Sequence, residues 1–163
     1  MATEMIMPEG APEEVVTNAL VREIDLAPFG ASGKLALITL DNGQDHNRPN
    51  TFGPKSVMAL NEAITIAEKS ASVAIAITGK PFIFAAGADL SGMAFLQDRS
   101  QALAIGKLGH DVFRRLGENK KPTFAFINSF FVSSYSCFRS FLSCSYIYYK
   151  NEIIYKSGVL GFW

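Results

Sequence analysis

The chain is 163 residues long, enough for one domain that buries most of its apolar surface. Its 15 basic residues balance 15 acidic ones, so no global field draws it to phosphate backbones or anionic membranes, and nucleic acid is not an expected partner. The two cysteines, Cys137 and Cys144, form no CxxC pair and have no histidine beside them, which signals neither a zinc site nor a disulfide framework.

Before Arg22 the chain carries Glu4, Glu9, Glu13 and Glu14 but no Lys or Arg. That is the opposite of a secretory or transit leader, and it predicts a soluble, cytoplasmic protein. Pro8, Gly10 and Pro12 predict a flexible lead-in over residues 1–18. Ala19 to Leu26 and Lys34 to Leu40 are runs of β-forming residues. Gly30-Ala31-Ser32-Gly33-Lys34 between them lacks Walker spacing and the following Ser or Thr, so it reads as the turn of an antiparallel hairpin. From Asp41 to Pro54, polar residues with Gly43, Pro49 and Gly53 describe a long loop, the kind of segment that often carries function. Pro54 suits the first turn of a helix, whose face is set by Val57, Leu60, Ile64 and Ala67.

Val73 to Thr78 is a short apolar run bounded by Gly79 and Pro81, the pattern of a strand buried on both faces. Ala85, Ala86, Gly87 and Ala88 follow, with so little side chain that a ligand can approach the backbone and meet amide N–H groups. A second helix is expected over about 100–117, with Ser100 as cap, Leu103, Leu108, Val112 and Leu116 as stripe and Gly117 as stop. His110 lies beside that stripe and is assigned packing or surface duty rather than chemistry. Lys121-Pro122 ends the helix, and Thr123 to Ile127 supplies another buried strand. The order β-β-α-β-α-β with right-handed crossovers makes this an α/β chain.

Gly79-Lys80-Pro81-Phe82-Ile83-Phe84-Ala85-Ala86-Gly87-Ala88-Asp89-Leu90 resembles the signature of the enoyl-CoA hydratase/isomerase (crotonase) family. Phe52-Gly53-Pro54, Gly109-His110-Asp111-Val112-Phe113 and Pro122-Thr123-Phe124-Ala125-Phe126 are similar to the crotonase-like N-terminal region of fatty-acid oxidation multifunctional proteins. The resemblance implies an incomplete crotonase-like (ββα) superhelix, N-terminal half only, over residues 19–128. It also implies acyl-CoA thioester binding in fatty-acid β-oxidation, with hydratase or isomerase chemistry. By it, the Ala88 amide is one of two oxyanion-hole donors to the thioester carbonyl. Ala86, Gly87, Asp89 and Leu90 border the substrate, and Arg48 and Asn50 lie nearest the nucleotide part of CoA; for Arg48 a merely solvated role stays open. The resemblance implies no tightly bound cofactor, coenzyme A as substrate carrier, and a trimer-type homo-oligomer for a full domain.

In the family, a glycine-rich turn supplies the second donor after the strand that here ends at Asn128, and a catalytic glutamate follows. This chain reads Ser129-Phe130-Phe131-Val132-Ser133-Ser134-Tyr135-Ser136-Cys137. Without gaps, Ser134 falls on the donor glycine and Cys137 on the first glutamate; Glu152 is the only side-chain carboxylate after Asn128. All five tyrosines, both cysteines and the tryptophan lie in residues 129–163, with eight serines and no alanine, against 19 alanines in the first 128. This shift marks residues 129–163 as a non-family, poorly ordered tail on a truncated, catalytically inactive chain. Glu62 and Asp89 are the acids nearest a matched motif, and Asp89 is expected to cap local backbone. Two alternatives stay open. The tail is a membrane-facing or partner-binding segment, an assignment that its serines and Arg139 weigh against. Or the chain is a non-catalytic CoA-binding or interaction fragment that associates with intact homologues.

Overall fold

The computed structural model describes residues 10–96 and 98–127, and the backbone of 128–129, 144–149 and 152–154. Strand β1 (Asn18–Asp25) runs antiparallel to β2 (Lys34–Asp41), with Asn18 opposite Asp41 and Asp25 opposite Lys34. The hairpin closes where Leu26 N–H donates to Gly33 O at 3.0 Å, so Gly30-Ala31-Ser32-Gly33 is a turn, as its composition predicts. A two-residue strand β3 (Thr51–Phe52) then leads into helix α1 (Pro54–Lys69). Next come β4 (Ala74–Gly79), a two-residue β5 (Gly87–Ala88), helix α2 (Arg99–Gly117) and β6 (Thr123–Ser129). β2, β4 and β6 are parallel neighbours, and β3 pairs with β5 in a separate two-stranded parallel ladder.

β2 alternates as a strand with one covered face must. Ala36, Ile38 and Leu40 are buried, and they meet the Val57, Leu60, Ala63, Ile64 and Ala67 stripe of α1. β4 is the central strand and is buried from Ala74 to Ile77. Ile38, Leu60, Ile64 and Ile75 are wholly inaccessible, each stabilising the fold by about 1.5–3 kcal/mol through removal from water. Helix α2 adds Val112 to this core and is otherwise more exposed. Its tie to α1 is polar: Arg115 donates to Asn61 Oδ1 (2.7 Å) and Thr65 Oγ1 (3.0 Å) and pairs with Glu68.

Four local expectations are corrected by the tertiary structure. The cap of α2 is Asp98 rather than Ser100: its carboxylate accepts from Gln101 N–H at 2.9 Å, and Ser100 instead donates its hydroxyl to Asp98. The loop from Asp41 to Pro54 contains β3, a strand too short to leave a periodic signal. The lead-in is tied down before residue 18, because Glu14 and Thr17 are buried and hydrogen-bonded to the start of α1. Beyond Asn128, where no regular element was expected, β7 (Cys144–Tyr149) pairs antiparallel with β6, and β8 (Glu152–Ile154) pairs with β7. Local β-propensity in Cys-Ser-Tyr-Ile-Tyr-Tyr is sufficient for one strand even though the surrounding tail lacks sustained alternation.

Candidate active site

Parallel strands end in loops on the same side of a sheet, and such loops are where α/β folds build their sites. Here β2 and β4 end side by side, and Lys80 N–H donates to Leu40 O at 2.9 Å across the two exits. Gly79 makes the close turn necessary: a methyl group there would lie 2.5 Å from Phe84 Cα and 2.8 Å from Phe84 O. The small-residue segment then folds back along the 42–53 loop. Ala86 N–H donates to Asn50 O at 2.8 Å and Asp89 N–H to Phe52 O at 3.0 Å, with Thr51 opposite Gly87 and Phe52 opposite Ala88.

Gly87 lies between the two anchored amides. Its φ of 110° lies in a region open to glycine, and it turns the backbone between the two anchors. Ala88 therefore sits in a short, exposed stretch pinned on both sides. Nothing lies within 4 Å of where a Gly87 side chain would begin, so the approach to this backbone is open.

The residues expected at the site separate into two groups. Ala86, Gly87, Ala88 and Leu90 are exposed together along the segment. Asp89 turns its carboxylate to Ser91 N–H at 2.9 Å, the local capping expected of it. Arg48 lies on the exposed loop, with its own N–H given to Asp45 O at 3.2 Å. Asn50 is different. It is fully buried, its Nδ2 donates to Leu40 O (3.0 Å) and Phe84 O (2.7 Å), and its Oδ1 accepts from Asn42 N–H at 3.0 Å. It is a brace joining the end of β2, the 42–50 loop and the approach to β5. Ser134 and Cys137 lie outside the described residues, as does the side chain of Glu152.

Two polar residues missed by sequence reasoning complete the framework. Lys80 is buried, and its ammonium donates to Asn42 Oδ1 and to Gln44 O, the latter at 2.8 Å. With His46 and Phe82 it borders a cleft of about 300 Å³; Phe82 has a φ of 69° and meets His46 edge-on at 6.2 Å. The second is Glu14. A lysine within a glycine-bounded apolar run is the only sequence signal for the first, and nothing local signals the second. Leu90, Met93 and Phe95 just after the segment, and Leu103 on α2, are apolar side chains with 40–64% exposure, and Phe113 meets Phe52 edge-on at 5.3 Å. A larger cleft of about 600 Å³ lies at the C-terminal ends of the helices, where Arg115 and Lys121 are already committed to Glu68 and to the α1 carbonyls.

The Gly87–Ala88 backbone is thus exposed and held between two anchored amides. The family model of enoyl-CoA hydratase/isomerase matches residues 30–150, and the chain belongs to that family. The match continues past Asn128. Among solved structures, the chain is similar to an enoyl-CoA hydratase from Thermoplasma volcanium (24% identity, TM-score 0.53), over 66% of this chain and 40% of that one. A probable enoyl-CoA hydratase from Mycobacterium tuberculosis has 26% identity and a TM-score of 0.53, again over 66% and 40%. An enoyl-CoA hydratase from Bacillus anthracis has 19% identity and a TM-score of 0.55, over 69% and 40%. The chain thus spans less than half the length of each. Comparison with curated protein sequences gave no significant match.

Proposed function

We propose that this chain binds acyl-CoA thioesters through the Ala86–Leu90 segment, with Ala88 N–H donating to the thioester carbonyl, and that it does not turn them over. The observation that carries this reading is the pinned, exposed backbone around Ala88, fixed by Ala86 N–H on Asn50 O and Asp89 N–H on Phe52 O. A donor held in place before the ligand arrives costs no reorganisation when charge develops on the carbonyl oxygen. The exposed apolar side chains of Leu90, Met93 and Phe95, which follow Ala88 closely in the chain, suit the acyl portion, and exposed Arg48 suits the anionic nucleotide portion. Asn50 acts through the backbone it holds, not by touching the ligand.

The inactivity follows from chemistry. Hydration adds water oxygen to C3 and a proton to C2 of the enoyl thioester, which requires positioned carboxylates as well as the hole. By the ungapped resemblance, Ser134 and Cys137 stand where the second donor glycine and the first glutamate belong. Losing one donor costs about 3–4 kcal/mol in the transition state, and each missing general acid or base removes about 10²–10⁴ in rate.

The test combines crotonyl-CoA binding by calorimetry with the loss of its conjugated-thioester absorbance. A second chain, with the glycine-rich turn and both glutamates restored, serves as reference. Binding without turnover by the native chain, and turnover by the restored one, is expected. Turnover by the native chain within about a hundredfold of the restored one overturns the inactive reading, since the missing groups are worth more than that.

A further inference from the structure

Glu14 is buried in a place where a carboxylate has no cation to pair with among the described contacts. One oxygen accepts from Ser56 N–H (2.9 Å) and Ser56 Oγ–H (2.6 Å), and the other accepts from Lys55 N–H (2.9 Å). These amides belong to the first turn of α1, whose cap, Gly53, brings no side chain of its own. A carboxylate from about 40 residues away therefore serves the exposed donors and positive end of the helix, as a cap does. The seat is close-fitting: a methyl group on Gly53 would lie 2.6 Å and 2.8 Å from the two Glu14 oxygens. Gly53 has an ordinary extended backbone, with φ of −90°, and the three atoms nearest to a methyl group there all belong to Glu14.

The same arm holds β3. Thr17 N–H donates to Ser56 Oγ at 2.9 Å, and Thr17 Oγ1 donates to Thr51 O at 2.8 Å, with Thr17 itself wholly buried. Thr51 pairs with Gly87, and the neighbouring Asn50 and Phe52 carbonyls anchor Ala86 and Asp89. A continuous set of hydrogen bonds thus runs from Glu14 through Ser56, Thr17 and β3 to the two amides that flank Ala88.

We infer that Glu14 is a positioning residue for the acyl-CoA site: seated over Gly53 at the start of α1, it locks β3 in register and so fixes the Ala88 amide. The inference rests on the reading of Ala88 as the carbonyl donor, but its first consequence is measurable without ligand. In full-length Glu14→Ala, hydrogen exchange at Ala86 and Asp89 accelerates by about tenfold or more, while Ile75 and Ile77 in β4 keep their protection, as local opening of β3–β5 requires. Gly53→Ala, which leaves Glu14 intact but obstructs its seat, gives the same pattern. Added to Glu14→Ala, Gly53→Ala has almost no further effect, because the group it displaced is gone.

With ¹³C=O-labelled crotonyl-CoA, the wild-type complex shows a lowered carbonyl stretch, and both single variants return it toward the free value. Failure of the wild-type protein to bind crotonyl-CoA sinks the proposed function and leaves the exchange test to decide the register lock. Three results overturn the positioning role: unchanged exchange at Ala86 and Asp89, equal loss of protection in β4, or additive effects of the two substitutions. Should Glu14→Ala not fold, Glu14→Gln decides the matter. It keeps one acceptor for Ser56 but sets an NH₂ against Lys55 N–H, and the accelerated exchange is expected in it as well.

Discussion

At the scale of single residues, the backbone around Ala88 is held by a buried amide side chain. Asn50 satisfies two carbonyls and one amide from three different segments. Asn50→Ala leaves those groups buried without partners and is expected to destabilise the chain by about 3 kcal/mol, read as a lower urea midpoint with unchanged slope. The family resemblance implies a place for Asn50 near the nucleotide part of CoA, but its burial was not legible. Nothing in the local sequence distinguishes an amide that reaches outward from one that ties three backbones together. The exposure of Ala88 was legible, because a run of residues with almost no side chain contributes little to a core and leaves its backbone open to approach. Ala88→Pro removes the N–H, and in the chain with restored glutamates it is expected to lower crotonyl-CoA turnover by about 10²–10³.

At the scale of elements, both helices begin on a borrowed or displaced cap. Asp98 caps α2, and its carboxyl is held below the ordinary aspartate value, first by the Ser100 hydroxyl and then by Gln101 N–H. A depressed folded-state value means that the contribution is fully present above the unfolded value near 3.8 and is lost as pH falls through the folded one. Fraying of the first turn of α2 is therefore expected only in acid below about pH 4. In NMR, Gln101 N–H should lose protection there before the helix centre does, and Asp98→Asn, which keeps a neutral acceptor, should abolish the acid dependence. At the turn after β4, Gly79→Ala drives a methyl group into the Ile83–Phe84 backbone, which cannot move as a flexible side chain can. A loss of about 3 kcal/mol or more is expected in thermal or urea unfolding. The residue types at these boundaries were legible, but the choice between Asp98 and Ser100 was not, because both are good caps and helix entry is settled by packing.

At the scale of the molecule, the parallel β2–β4–β6 core under α1 is continued by β7 and β8. β7 thus covers the edge of β6, which leaves no open template there for pairing with another chain. Exposed apolar side chains are a reason to expect self-association: Leu90, Met93, Phe95 and Leu103 are each 40–64% exposed. Concentration-dependent self-association is expected in analytical ultracentrifugation, weakened by Leu103→Gln combined with Phe95→Ser. A concentration-independent monomer would remove these side chains as contact groups.

Read locally, the chain already specifies the order of its strands and helices up to β6, the stripe of α1, the hairpin at Gly30–Gly33 and the signature of its family. These are written in local periodicity, in glycine and proline placement and in contiguous motifs. Only the folded arrangement decides that Glu14 caps α1, that Asn50 and Lys80 are buried, that Thr51–Phe52 pairs with Gly87–Ala88, and that Cys144–Tyr149 covers β6. Each of these joins polar or backbone groups distant in the chain. Such partners are selected by which hydrogen-bonding groups packing removes from water together, and no local pattern records that choice.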